Sequence, residues 1–386
     1  MKSANQVNSR DSEKVANPMV FQLGYEPSLD GLRGIAILVV MAFNGKLLWM
    51  RGGFIGVDIF FVLSGFLITA LLVQGYQKTG SMGFKNFYFR RALRLLPALF
   101  LLMLFCIAYA LFFQPADKAA VTLNGVLYTL FYVANWVQVP PYLTSIGVLS
   151  HAWSLSVEEQ FYIVWPLLLL LLLKLKSKGF VIGILLCLIG ISVLLNVWFW
   201  NAGVPYIRMY MGSDTRANEL LIGCLAALLL LWGILRPTDR LKWAFHAASL
   251  ISIAGILLSF FLLSFKGGFV YNGGFALISI GTAVLILDFL LFPSRLSRLF
   301  EFAPLVWLGK ISYGLYLWHF PIFEGSKKFF EGRMNPEVYQ VIGVVAALLA
   351  AAASYYLIEQ PFLRLRRHFK TNEPMGPMMP VSTQSA

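Results

Sequence analysis

Arg33 and Asn44 lie eleven positions apart in the stretch LDGLRGIAILVVMAFNGKLLWMRGGFIGVDIFFVLSGFLI, residues 29–68. In a helix turning about 100° and rising about 1.5 Å per residue, eleven steps return to nearly the same face about 16 Å further on. A cation would then stand below an amide on a single stripe of an otherwise apolar segment. Four further stretches carry groups able to do chemistry. HAWSLSVEEQFYIVWP (151–166) sets His151 ahead of Glu158 and Glu159. Glu159 follows His151 by eight residues, close to two helical turns, so its carboxylate could orient the imidazole and tune it as a general base for a hydroxyl. The plainer reading is that both glutamates favour a helix N-terminus. FYFRRALRLLP (87–97) gathers Arg90, Arg91 and Arg94 before Pro97, which reads as a helix start. Arginine forks match phosphate oxygens, and a basic amphipathic segment equally suits an anionic membrane surface. SDTRANELLIGC (213–224) sets Asp214 and Arg216 before a helix, as an acceptor site or as a cap with an interfacial ion pair. LGKISYGLYLWHFP (308–321) spaces Tyr313, Tyr316 and His319 by threes on one face, as pocket or as packing.

The elements that must position these residues are membrane helices. Hydrophobic residues make up 59% of the 386, charged residues 13%, and the mean hydropathy is +0.73. A soluble chain of this length cannot bury that much apolar surface. The net charge of +13 sits in loops that flank apolar runs, which reads as cytoplasmic flanks and not as a nucleic-acid surface. Cys106, Cys187 and Cys224 fall inside apolar runs at no metal-ligand spacing. His246 and His368 have no supporting constellation.

Apolar segments occur near 33–50, 54–74, 95–114, 121–137, 157–173, 180–200, 217–235, 243–264, 273–292, 305–323 and 338–358. Basic residues crowd 78–94, 174–178, 236–242, 295–298 and 364–370, and the positive-inside rule makes each of these cytoplasmic. That assignment holds only if one segment between 94 and 174 fails to cross. The run 121–137 is short and carries Asn124, Gly125 and Asn135. The prediction is therefore an all-α polytopic membrane protein with ten transmembrane helices, one re-entrant or peripheral helix at about 121–137, and both termini cytoplasmic. Residues 1–28 read as a mobile cytoplasmic tail without the apolar core of a cleaved leader, 29–368 as the transmembrane domain, and 369–386 as a disordered cytoplasmic tail. In this topology the polar residues form two layers. A cytoplasmic layer holds Arg33, Arg90, Arg91, Arg94, Lys310 and Glu359. A middle and outer layer holds Asn44, Asp58, Ser64, His151, Glu158, Glu159, Asp214, Arg216, Glu219 and His319. Intramembrane ionisable groups cost roughly 2.5–3.5 kcal/mol each on insertion scales, so this many argue for a polar cavity. GVDIFFVLSG (56–65) mixes small and polar residues, either for close helix packing or for a pocket wall where Gly65 admits a ligand.

Taken together and in order, LDGLRGIA, GVDIFFVLSGFLI, FYFRRALRLLP, HAWSLSVEEQFYIVWP, SDTRANELLIG, ISYGLYLWHFP and IEQPFLRLRR (358–367) resemble the membrane-bound acyltransferase-3 family of bacterial envelope O-acyltransferases. No stretch resembles the additional soluble esterase-like domain of some members. The resemblance implies ten membrane helices in the cytoplasmic membrane of a bacterium. It implies no permanently bound cofactor, a cytoplasmic acyl-CoA donor (acetyl-CoA foremost), and a hydroxyl of a carbohydrate or glycosylated acceptor. Arg33 matches the arginine of the family's Arg-x10-His motif. Arg90, Arg91 and Arg94 match its basic loop, thought to hold the donor, and Phe60, Phe61, Ser64 and Gly65 match its Phe-Phe-x-x-Ser-Gly element.

Position 44 departs from that pattern, since Asn44 stands where the family carries the histidine expected to act as base. An amide has no proton-accepting state near neutral pH, and a positioned general base contributes about 10²–10⁴-fold. The expectation is an acyltransferase impaired at this step, with His151 and Glu159 as the other catalytic candidates. Arg33, Ser64, Gly65, Arg90, Arg91 and Arg94 are the donor-binding candidates, and Asp214, Arg216, Tyr313 and His319 the acceptor-binding ones. The rival classes are a flippase of a lipid-linked sugar or acyl group and a non-catalytic relative that binds acyl-CoA.

Overall fold

A computed structural model describes residues 21–46, 50–175 and 177–365, which are helices and connections with no strand among them. Helix α1 (Pro27–Asn44) begins at a proline, whose fixed φ suits a first helical turn, and ends where the Gly45 N–H bonds the Met41 carbonyl at 2.7 Å. A 3₁₀ turn, Gly53–Ile55, leads into α2 (Gly56–Thr79), which Gly80 closes at φ 70°. Then come α3 (Phe84–Phe113), α4 (Ala116–Leu130), the single turn α5 (Ala134–Val137), and a 3₁₀ segment, Gly147–Ala152, that feeds α6 (Trp153–Lys174). Helices α7 (Lys178–Asn201), α8 (Tyr206–Met211), α9 (Ala217–Leu231), α10 (Asp239–Leu262) and α11 (Phe275–Leu291) follow. The chain closes with α12 (Arg295–Phe300), α13 (Ala303–Lys310), α14 (Ser312–Phe330), α15 (Pro336–Ala353) and α16 (Gln360–Leu365).

Among the described residues, eight stretches are long and apolar enough to cross a bilayer. They are α1, Gly53–Thr79, α3, Gly147–Lys174, α7, α10, Val270–Leu291 and Pro336–Leu365. The protein is thus a polytopic helical membrane protein. Helix α9 is apolar but has only 15 residues. Helix α14 has 19 and carries Glu324, Lys327 and Lys328 in its last turns. The lipid-like faces are plain on α7 and α10, whose apolar windows are only 22% and 17% buried. A soluble protein would not leave Leu250, Ile251 and Leu258 open in this way.

Several boundaries differ from the sequence expectation. The first helix stops at Asn44 and does not run to 50, so Asn44 is a helix-end residue and not a mid-helix one. Pro97 lies inside α3 and starts nothing, so the basic run and the apolar run that follows form one continuous 30-residue helix. Proline is tolerated within membrane helices because neighbouring groups re-satisfy the freed backbone. The stretch 121–137 is split between α4 and α5 at Phe131–Val133, where Tyr132 has φ 53°. Of the two expected tails, 1–20 and 366–386 lie outside the described residues. Residues 21–28 are not a free tail, since Leu23 and Ser28 are buried and the helix begins at Pro27.

Helix α2 is the axis of the fold: its apolar window is 78% buried, and its most extensive partner is α9. The approach is close because both helices present glycine at the crossing. A Cβ on Gly65 would stand 2.0 Å from the Leu220 carbonyl oxygen, and one on Gly223 would stand 2.1 Å from that of Val62. The same seam buries an ion triad at zero exposure. Arg216 meets Asp58 at 3.2 Å and Glu219 at 3.1 Å, and its guanidinium lies 4.0 Å from the centre of the Phe275 ring. Charges so buried are tolerated only when paired, so the triad joins α2, α9 and α11 at one point.

Candidate active site

The N-terminal half of α1, the first turns of α3, α6 and α14, and the first two-thirds of α2 enclose a cavity of about 230 Å³. Arg33, Ser64, Arg90, Arg91, Arg94 and Tyr313 all line it, together with Phe60 and Phe61. Its charges are partly compensated. Arg33 reaches Asp30 at 3.3 Å. Arg91 forms an ion pair with Glu159, its Nε 3.1 Å from Oε2, and stacks 3.3 Å over the Tyr162 ring. Arg90 and Arg94 line the wall and form no ion pair among the described residues. Glu158 is held by Ser64, whose hydroxyl donates at 2.7 Å. Within the lining, two guanidiniums without an ion pair face the one carboxylate of Glu158, and Glu359 interacts with Arg94 from outside the lining, a balance that favours an anionic guest at the wall.

The cavity ends at Ser154 and Tyr316, whose hydroxyls are 2.5 Å apart, and the Tyr316 hydroxyl also lies 2.8 Å from the His151 carbonyl oxygen. Asn44, His319 and His151 lie outside the cavity lining, with the rings of His151 and His319 each 5.5 Å from that of Tyr316. His319 Nδ1 is 2.8 Å from the Tyr316 carbonyl and 3.0 Å from that of Leu315. Both are acceptors, so Nδ1 carries the proton and Nε2 presents a lone pair. The Asn44 amide nitrogen sits 3.0 Å from that Nε2 and donates to it. The His151 ring lies 5.4 Å from the His319 ring. It is buried, and neither of its nitrogens has a hydrogen-bond partner among the described residues.

The polar residues thus form three groups where the sequence suggested two layers. Ser64, Glu158 and Glu159 join the arginines, Asp58, Arg216 and Glu219 form the triad, and Asn44, His151 and His319 stand together. Glu159 is paired with Arg91 and not with His151, because His151 belongs to the 3₁₀ segment ahead of α6, where two helical turns do not separate the two residues. Gly65 faces Leu220 and not the cavity, and its role is helix packing. Arg216 is wholly enclosed by Asp58, Glu219 and aromatic rings, which leaves no surface for an acceptor. Asp214 pairs with Arg208, at 2.6 and 2.8 Å, and not with Arg216. Tyr313 lines the cavity with the arginines, and its hydroxyl donates to the Leu95 carbonyl at 3.0 Å. Sequence reading did not single out Ser154, Tyr162 or Arg208. An i, i+8 relation between Ser154 and Tyr162 on α6, beside Glu158, is the signal that could have found the first two. Among the described residues no group of three or more His, Cys, Asp or Glu could hold a metal ion.

Residues 26–358 match the family described as an acyltransferase domain, Acyl_transf_3. The chain is 36% identical over 384 residues to the peptidoglycan O-acetyltransferase OatA of Listeria monocytogenes, a match covering 93% of this chain and 61% of that protein. It is 36% identical over 351 residues to the putative peptidoglycan O-acetyltransferase YrhL of Bacillus subtilis, covering 87% and 55%. It is 34% identical over 353 residues to a putative O-acetyltransferase of Staphylococcus aureus, covering 88% and 58%. The chain therefore spans a little over half the length of these relatives. No solved structure matches it.

Proposed function

The chain belongs to the acyltransferase-3 family, and from that premise we propose that it moves an acetyl group from cytoplasmic acyl-CoA to a hydroxyl of a cell-envelope carbohydrate. The relatives named for peptidoglycan O-acetylation support a peptidoglycan sugar as that acceptor. In this reading α9 and α14 join the eight long apolar stretches as crossings, which gives ten, with both termini on the cytoplasmic side of a bacterial membrane. The observation that carries the reading is the cavity with two arginines that form no ion pair among the described residues, lined also by Tyr316, whose ring is 5.5 Å from that of His319 in the Asn44–His319 pair. Donor phosphates bind at Arg90 and Arg94, and the thioester reaches toward Tyr316. The acceptor comes from the side of His151 and Asn44.

Transfer needs a base for the acceptor hydroxyl. As its proton leaves, the oxygen bonds the thioester carbonyl carbon. The C–S bond then breaks, and the CoA thiolate departs and takes up a proton. With Asn44 donating to the single lone pair of His319, that imidazole has no site left for the proton. The chain is accordingly slow at this step. His151, with its unpartnered nitrogens, provides the residual base.

The test uses purified protein in nanodiscs with radiolabelled acetyl-CoA and soluble muropeptides. Label appearing as a base-labile ester on the muropeptide, with release of CoA, supports the enzyme. Binding of acetyl-CoA without ester in either the parent or Asn44→His rejects transfer in favour of a non-catalytic binder. Absence of both leaves the flippase reading.

A further inference from the structure

A second, smaller pocket of about 70 Å³ lies where the last turns of α2 meet the start of α3. It shares Leu71, Phe87 and Arg90 with the main cavity, so the two are neighbours across one wall. Three of its features point to one kind of guest. Lys78 supplies an exposed ammonium, and Arg90 brings a guanidinium free of any ion pair among the described residues. Gln74 lines the pocket with only 7% of its surface exposed, and its amide nitrogen is buried without a hydrogen-bond partner among the described residues. Such a donor is costly to leave unmet, and an acceptor oxygen would satisfy it. Gly83 and Asn86 complete the wall at the N-terminus of the 30-residue α3, whose N-cap residue is a glycine with no side chain of its own to cap the helix. The positive end of the α3 dipole favours an anion there.

Size decides which anion. The main cavity, at about 230 Å³, is below the roughly 300–1,000 Å³ that encloses a drug-sized ligand. It can take the acylated pantetheine arm of CoA but not the nucleotide as well. The nucleotide must lie outside it, on the cytoplasmic side, where the smaller pocket opens. That pocket is too small for a nucleobase with its sugar and large enough for a single phosphate group.

We infer that the α2–α3 pocket, built from Gln74, Lys78, Arg90 and the α3 N-terminus, binds the 3′-phosphate of the donor's ribose and so distinguishes CoA from its dephosphorylated form. This rests on the reading of acyl-CoA as donor. It adds that the donor is recognised at both ends, with the pyrophosphate at Arg90 and Arg94 and the terminal phosphate in the neighbouring pocket. Arg90 stands between the two sites.

The test measures binding of CoA and of 3′-dephospho-CoA to the full chain in nanodiscs by calorimetry, for the parent, Gln74→Leu and Lys78→Gln. The parent binds CoA at least about tenfold more tightly than dephospho-CoA, as expected from one or more charge-assisted hydrogen bonds. Each variant narrows that ratio while its affinity for dephospho-CoA stays unchanged, which also reports an intact fold. Equal affinity of the parent for the two ligands overturns the inference and leaves the donor reading standing. Equal weakening of both ligands in the variants overturns it too. If the parent binds neither, the donor reading itself fails and this inference falls with it.

Discussion

At the scale of single residues, Arg216 shows how far a buried charge can mislead a sequence reading. Its position ahead of a helix, beside Asp214, suggests a cap or an acceptor contact. In the fold it is instead the cation shared by two carboxylates at zero exposure. Removing the cation leaves Asp58 and Glu219 facing each other without compensation, whereas neutralising Asp58 leaves the Arg216–Glu219 pair intact. Arg216→Met should therefore destabilise strongly, by about 3–5 kcal/mol, and Asp58→Asn distinctly less. Thermal unfolding in detergent checks the order, and equal losses would contradict it. Arg33 and the three arginines of α3 were legible as one layer from residue type, because phosphate recognition and membrane burial both restrict where arginine can stand, whereas Ser64 read into the other layer and joined them only through the family resemblance. The Asn44–His319 contact was not legible. It joins residues 275 positions apart, and no local periodicity reports which helix faces which.

At the scale of elements, helix existence followed from apolar run length and the ends did not. Pro97 reads as a boundary by local rules, yet membrane burial overrides the preference and α3 runs through it. Gly65 illustrates the opposite error, a small residue read as an opening for a ligand when it is the contact that lets α2 lie against α9. Side-chain volume at this seam has nowhere to go, because the opposing atom is a backbone carbonyl and not the end of a flexible side chain. Gly65→Leu should separate the helices and reduce folded, monodisperse protein to a small fraction of the parent's, as read by size-exclusion chromatography. The same replacement at Gly75, where a Cβ meets nothing within 4 Å, should leave the yield near the parent's. Similar yields for both variants would remove close packing as the reason for Gly65.

At the scale of the whole molecule, the account depends on sidedness: the arginine cavity must open to the cytoplasm, and the Asn44 end must face outward. The loop charges argue this from sequence. The helix order supports it once α4 and α5 are kept from crossing and α9 and α14 are counted. Two exposed positions on opposite ends test it. In a Cys187→Ser background, Lys85→Cys before the arginine cluster should react with a membrane-impermeant maleimide in inside-out vesicles only, and Arg333→Cys between α14 and α15 in intact spheroplasts only. Labelling of both from one side would reverse or break the topology.

The central claim is that position 44, beside His319 and next to the cavity proposed to hold the activated acyl group, is the place for a base, and that asparagine there leaves proton removal slow. It is tested most directly by the rate of ester formation from acetyl-CoA and muropeptide in Asn44→His against the parent. An imidazole at position 44 should raise that rate by at least about tenfold, toward the range of about 10²–10⁴ that a positioned base supplies, with CoA affinity unchanged. Equal rates, with both proteins folded and binding CoA alike, would contradict it.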